Sequence, residues 1–309
     1  MRNKYIPIIF AFDNNFSIPA IVAIKSLIIH ANQSTLYKVY CVISSDVEKS
    51  NLEMIERLFI SKNHKLEFIN ASMHFEGAYI HRGISLASYY RLMIHELIPN
   101  EDKIIYADID VLFNGDLKDV FEIDIKDNII AGVKNLYIYQ VFDKLLNQFE
   151  YWRDNFSDMR TSYINGGFLV MNLKVIRETM IWKQWVELSK NKWEFHDQDI
   201  INYTCKNKIY YLPPKYNMTF PLREPLAFTW GLFEKKLINE EPIVYHFTAT
   251  KPWNSKYSIQ SNVWWSFVKK NTKLYSHFYK EYKNNVHIKE HFFKYIKSRI
   301  IYFKCLIKK

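Results

Sequence analysis

Short apolar runs alternate with helical patterns along the first part of the chain. YIPIIFAF (5–12), YKVYCVI (37–43) and KLEFI (65–69) are rich in β-branched and aromatic residues and read as strands. Between the first two, Ser17 can cap a helix with Pro19 in its first turn and Ile21, Ile24, Leu27 and Ile28 on one face. Ser45 and Glu48 have capping-box spacing ahead of a helix through about Phe59. Ser85 opens another helix, carrying Tyr89, Leu92, Met93 and Leu97, and KIIYADI (103–109) is a fourth strand. Strands alternating with helices predict a parallel sheet covered on both faces. Ligands of such sheets gather at the carboxyl ends of the strands, where Asp13 and Asp108 fall. The second half mixes strands (168–172, 209–212, 243–247) with helices (174–190, 197–206 and roughly 261–282).

Composition narrows the picture. The chain has 309 residues, is 49% hydrophobic and 17% aromatic, and has only 7 Gly and 9 Pro, so a sizeable core is expected and no linker is evident. No boundary precedes about residue 280; the expected division is one domain over 1–283 and a tail over 284–309. Cys41, Cys205 and Cys305 lie far apart without a CxxC, which points to a reducing compartment and excludes a cysteine zinc site. The apolar stretch from Ile6 to Phe12 is too short for a signal peptide or a membrane span, so a cytoplasmic location is expected.

The net charge of +10 fits an anionic partner. Much of it sits in the tail, VHIKEHFFKYIKSRIIYFKCLIKK (286–309). On a helix, Phe292, Ile296, Ile300, Phe303 and Ile307 form one stripe, with Lys294, Lys297, Lys304 and Lys308 opposite. A helix docked on the domain is the rival reading. The absence of acids after Glu290 favours an anionic membrane surface over it, and over nucleic acid, and predicts peripheral attachment to the inner face of the cell membrane.

IIYADIDVLF (104–113) carries the chemistry. Residues two apart on a strand share a face, so Asp108 and Asp110 would project together. Two desolvated carboxylates need a shared proton or a cation, and a divalent metal is the commoner solution. A bare D-x-D is more often a solvated turn, here Phe113-Asn114-Gly115, but the apolar flank and the strand-end position favour metal. Dehalogenase-type phosphatases use such a motif in their first strand; nucleotide-sugar transferases use it mid-chain, as here.

Several further stretches resemble family 8 glycosyltransferases, of the bacterial lipooligosaccharide galactosyltransferase type. AFDNNF (11–16) is similar to the family's first nucleotide loop, ISLASYYRL (84–92) to a helix carrying a donor-reaching Arg, and YINGGFLVMNL (163–173) to its N-x-G strand. HDQDIIN (196–202) resembles its D-Q-D segment and HFTATKPW (246–253) its closing loop. With the D-x-D, six motifs occur in order over about residues 5–255. The closing loop departs from the usual His-x-x-Gly-x-x-Lys-Pro-Trp: it has no glycine and is one residue shorter. Asn135 stands where Asp is common.

The resemblance implies an α/β fold of GT-A type: a Rossmann-like mixed central sheet with helices on both faces, plus the C-terminal helical tail. It implies a retaining hexosyltransferase, moving galactose or glucose from UDP-galactose or UDP-glucose to a cell-surface glycolipid or oligosaccharide acceptor such as lipopolysaccharide. Asp108, Asp110 and His246 would be metal ligands; an imidazole among carboxylates tilts the preference from Mg²⁺ toward Mn²⁺. Donor-binding residues would be Ala11, Asp13, Asn15, Phe16, Arg91, Asp108, Ile109, Asn165 and Lys251. Asp13 and Asn15 suit the uracil edge and ribose, and Arg91 is a fixed cationic fork for phosphate or sugar oxygens. Gly166 and Gly167 would let a ligand approach the backbone beside Asn165, and Trp253 would pack the loop. Gln198 would stabilise an oxocarbenium-like centre through its carbonyl oxygen, with Asp197 on the sugar hydroxyls. On residue types alone, Phe16 is more often a core side chain and His246 more often a hydrogen-bonded structural histidine, Arg91 could form a surface ion pair, and Asp197 could also cap a helix. A D-x-D phosphatase and a non-catalytic membrane-associated glycan-binding protein remain the alternatives.

Overall fold

The computed structural model describes residues 5–60, 62–70, 79, 86–219, 241–248, 251–254, 261–271, 274, 276 and 278. Ser85, Ala249, Thr250 and the 284–309 tail lie outside these residues.

The strands are β1 (Ile6–Phe12), β2 (Tyr37–Ile43), β3 (Lys65–Asn70), β4 (Lys103–Ala107), β5 (Val111–Phe113), β6 (Ile130–Lys134), β7 (Ile164–Asn172), β8 (Ile209–Tyr211) and β9 (Val244–His246). Seven of them form one sheet in the order β3-β2-β1-β4-β7-β6-β8, and β5 pairs with β9 apart from it. β1 to β4 are mutually parallel, whereas β7 is antiparallel to both β4 and β6. This is the mixed Rossmann-like sheet that the resemblance implied.

The unbroken apolar runs have a simple cause: each central strand is buried on both faces. Along β1, Ile6, Ile8, Phe10 and Phe12 enter one core layer while Ile9 and Ala11 enter the other. In β4, Ile105 and Ala107 divide likewise from Ile104 and Tyr106. Helix α1 (Ser17–Ile29) covers the first layer and is buried nearly all round. Its Ser26 hydroxyl accepts the Phe113 N–H at 2.9 Å, which ties β5 to the helix.

Three local expectations are corrected. A 3-10 turn, Asn14–Phe16, runs directly into α1, so Ser17 is already helical and its hydroxyl donates to Asn14 O rather than capping. Helix α2 (Lys49–Arg57) is capped by neither Ser45 nor a capping box; Glu48 precedes it, and its N–H is taken by the Asn14 side chain at 3.0 Å. The helix at 174–190 is two helices, Leu173–Thr179 and Ile181–Leu188, broken at Met180, whose φ is 54°.

The placement of the site follows from topology. The chain leaves β1 outward to β2 and β3, then returns to the other flank of β1 as β4. The carboxyl ends of β1 and β4 therefore border a switch-point crevice. Antiparallel β7 brings its amino end, Asn165-Gly166-Gly167, to the carboxyl end of β4, where Asp108 N–H donates to Gly167 O at 2.8 Å.

Candidate active site

Asp108 and Asp110 do not lie on the strand that their apolar flank suggested. β4 stops at Ala107, and the two acids sit in the bend between β4 and β5. They are aligned by that bend together with the β5–β9 pairing, which sets Val111 opposite His246 and lets Phe247 N–H donate to Asp110 O at 2.8 Å. As a result Asp108, Asp110 and His246 each offer one ligand atom, all within 4.8 Å of one another. His246 Nε2 lies 3.2 Å from Asp110 Oδ1 and 3.7 Å from Asp108 Oδ2. Asp110 and His246 are buried.

The cluster attracts positive charge. Lys251 donates to Asp110, and to Phe247 O at 2.9 Å. Burial opposes the charge on Asp110, but Lys251 and His246 outweigh it and hold the carboxyl well below its usual range. Arg91 faces Asp108 at 2.9 Å, and Tyr106 donates to the same oxygen at 2.7 Å while lying beneath the guanidinium, 4.4 Å from its ring centre. Arg91 is itself buried, yet Asp108 and Asp197 keep its pKa raised. Arg91 is therefore not a surface ion pair.

The glycines make room for side chains of the protein itself. A Cβ on Gly167 would meet His246 Cε1 at 2.1 Å, and one on Gly166 would meet Arg91 Nη1 at 2.8 Å. They admit two of the protein's own side chains to the backbone. Asn165 also turns inward: its Oδ1 accepts from Gly167 N–H and from Asn217 Nδ2, both at 2.9 Å.

The D-Q-D segment opens the helix His196–Cys205, after His196 takes a left-handed φ of 49°. Asn202 clamps this helix to β7 by bonding both the N–H and the carbonyl of Ile164. Gln198 Oε1 accepts Gly166 N–H at 2.9 Å, and its Nε2 donates to Tyr163 Oη at 3.3 Å. Asp197 Oδ2 is 2.7 Å from Arg91 Nε, but that N–H is directed at Ser88 O, so the contact is an ion pair without a directed hydrogen bond. Burial, reinforced by Asp108, lifts Asp197 to about 6 against the pull of Arg91.

At the end of β1, Asp13 Oδ1 is buried without a hydrogen-bond partner, as a base- or ribose-binding acceptor would be. Asn15 is exposed, Phe16 packs in part against the first core layer, and Ala11 and Ile109 are buried. Trp253 packs as expected: it is buried, its ring centre 5.5 Å from that of Trp264.

Four residues of the site escaped the sequence reading. Tyr106, Tyr163 and Asp199 lie inside motifs already quoted, but nothing in a strand or helix pattern marks a tyrosine as a hydrogen-bond bridge. Tyr163 links Gln198 to buried Asp199, which also accepts from Tyr151 Oη and Phe195 N–H. Burial lifts Asp199 to about 7 despite these donors. Asn217, buried beside His246, had no sequence signal.

Comparison with known proteins agrees with this fold. The model of the family described as "Glycosyl transferase family 8" matches residues 7–257. Glycosyltransferase GlyF of Streptococcus pneumoniae is 26% identical over 274 residues, covering 84% of this chain and 60% of its own length. Lipopolysaccharide 1,2-glucosyltransferase of Escherichia coli is 25% identical over 215 residues, covering 65% and 62%. The chain thus spans less than two-thirds of the length of either relative. Among solved structures, galactosyltransferase LgtC in complex with donor and acceptor sugar analogs superimposes with a TM-score of 0.70 at 25% identity, over 88% of this chain and 96% of that one.

Proposed function

The chain belongs to glycosyltransferase family 8, and on that premise we propose that it transfers a hexose, galactose or glucose, from a UDP-sugar to a cell-surface glycan acceptor of the lipopolysaccharide or lipooligosaccharide class, with retention at the anomeric carbon. The observation that carries this reading is the convergence of Asp108, Asp110 and His246 at the carboxyl end of β4, where Arg91 joins Asp108 to Asp197 and Gln198 bonds Gly166. Family membership argues against the phosphatase and the non-catalytic alternatives.

The donor set fits a divalent cation. Two carboxylates and one imidazole lie within ligating reach of a common point, and the buried Asp110 already draws in the Lys251 ammonium. Asp108, Asp110 and His246 would hold the ion, and the imidazole favours Mn²⁺ over Mg²⁺. A cation bound there supplies Lewis-acid charge against the leaving diphosphate.

The remaining work belongs to the chain itself. Asp13, Asn15 and Phe16 receive the nucleoside; Ala11 and Ile109 form the floor. Arg91 fixes Asp108 and contributes permanent positive charge, and Lys251 adds a second cation for the diphosphate. Gln198 keeps one carbonyl lone pair beyond its bond to Gly166 for the positive charge that develops on the sugar. Asp197 takes sugar hydroxyls, and Asn165 supports that side of the pocket. Residues 1–283 would form the catalytic domain, and the 284–309 tail would hold it against the anionic inner face of the membrane, near a lipid-linked acceptor.

The test is release of UDP from a panel of UDP-sugars with Mn²⁺ or Mg²⁺, with and without a glycolipid acceptor. Turnover of UDP-galactose or UDP-glucose that requires the cation is expected. A protein that turns over no UDP-sugar with either ion would contradict the reading.

A further inference from the structure

His246 can serve a cation only through a nitrogen that carries no proton. A neutral imidazole has one N–H and one bare nitrogen, and the partner of the first decides which is which. His246 Nε2 faces Asp108 and Asp110, while Nδ1 lies 2.8 Å from Asn217 Oδ1.

The identity of that oxygen is fixed by a chain that starts in the sheet. Gly167 N–H is a donor whose polarity cannot change, and it points at the Asn165 side chain at 2.9 Å. The Asn165 atom that receives it must be the oxygen. That same oxygen faces the Asn217 side chain at 2.9 Å, so the Asn217 atom opposite must be the NH₂ group. The other Asn217 atom is then its oxygen, and it faces His246 Nδ1. An oxygen there requires Nδ1 to carry the hydrogen. Reversing either amide would set donor against donor at Gly167 or acceptor against acceptor between the asparagines, in residues that are all buried and where such a mismatch costs about 1–3 kcal/mol.

The frame is rigid at both ends. Gly167 O holds Asp108 N–H at 2.8 Å, and Asn217 lies between two backbone bonds: its own N–H to Pro214 O at 3.0 Å, and Met218 N–H to Val244 O at 2.8 Å. One glycine thus anchors a carboxylate through its carbonyl and the imidazole through its N–H.

We infer that Asn217 is a positioning residue that transmits the polarity of the Gly167 amide through Asn165 to His246, fixing the Nδ1–H tautomer and leaving Nε2 free for a cation between Asp108 and Asp110. The inference rests on the proposed metal site for its consequence, but the tautomer itself does not depend on any ion.

The first measurement is the ¹⁵N spectrum of histidine-labelled, metal-free protein at alkaline pH, with His246 assigned by its absence in a His246→Ala variant. A protonated Nδ1 and a bare Nε2 are expected; a protonated Nε2 would overturn the inference whether or not any variant folds. The second is Mn²⁺ affinity by calorimetry. Asn217→Ala should weaken binding about 10- to 100-fold, and Asn217→Asp, which keeps an acceptor oxygen for the Nδ1–H but loses the NH₂ bond to Asn165, should restore the tautomer and only part of the affinity. Wild-type affinity and tautomer in folded Asn217→Ala would sink the positioning role. Failure of the wild-type protein to bind Mn²⁺ would instead count against the metal site, with the spectrum still deciding the tautomer.

Discussion

Replacing Gly167 with alanine adds one methyl group at the most crowded point of the site. That carbon would sit 2.1 Å from His246 Cε1, 2.7 Å from Nδ1 and 2.8 Å from Nε2. Ordinary contact begins near 3.4 Å, so the ring must retreat by at least 1.3 Å, the difference between 3.4 and 2.1 Å. The backbone cannot absorb the shift. Gly167 is bonded to Asp108 on one side and Asn165 on the other, and its neighbour Phe168 is in register with Ala107. His246 is held by its pairing with Val111 and by its N–H to Met218 O at 3.0 Å, which leaves side-chain rotation as the response. Metal–nitrogen distances tolerate about 0.2 Å, so this displacement removes the imidazole as a ligand. Gly167→Ala should therefore weaken Mn²⁺ binding by about 100-fold or more, on the order of 3 kcal/mol. Calorimetric titration reads the affinity, with circular dichroism confirming the fold. Gly115→Ala is the control, because its Cβ meets Ile243 at 3.4 Å, an ordinary contact, and should leave binding unchanged. A folded Gly167→Ala protein with wild-type affinity would refute the assignment of His246 as a ligand.

Asp110→Ala should abolish transfer while leaving the far-UV spectrum intact, and near-normal activity would rule out its metal role. The buried Asp199 carboxyl moves from 3.8 in the unfolded chain to about 7 in the fold. Its folded pKa is raised, so the stability it contributes is fully present below about 3.8 and lost as pH rises through about 7. That is worth roughly 4 kcal/mol, and denaturant midpoints of Asp199→Asn against wild type should converge or cross over this window; parallel pH profiles would disprove it. Deleting residues after about 285 should release the protein from anionic vesicles and spare activity on soluble acceptors; a truncated protein that still sediments with vesicles would remove the anchor.

Much of the fold was legible because burial writes itself into the sequence. β1 and β2 emerge almost to the residue, since strands buried on both faces must be apolar throughout. β6 and the helix Leu136–Gln148 were passed over. β6 is five residues with a glycine, short of any pattern. The start of that helix, by contrast, had a signal: Asn135 Oδ1 accepts from Tyr137 and Ile138 N–H, and Ile138, Phe142 and Leu145 follow at helical spacing. The break at Met180 has no glycine or proline to announce it. In the site, Asp108 and Asp110 could be found because paired carboxylates are uncommon in an apolar flank, whereas His246 was singled out only by the family resemblance. Their alignment could not, since it comes from a bend and from the pairing of β5 with β9 across more than a hundred residues. Asn217 was invisible for the same reason: its role lies in the direction of two hydrogen bonds to partners 52 and 29 residues away.

Asp108, Asp110 and His246 are proposed to grip a cation that in turn holds a nucleotide's pyrophosphate. Anomalous diffraction at the manganese edge from crystals soaked in MnCl₂ and UDP measures this directly. The predicted result is a peak among those three side chains with phosphate oxygens of UDP against it and Lys251 withdrawn from Asp110. UDP bound in the crevice with no manganese at the three residues would contradict it.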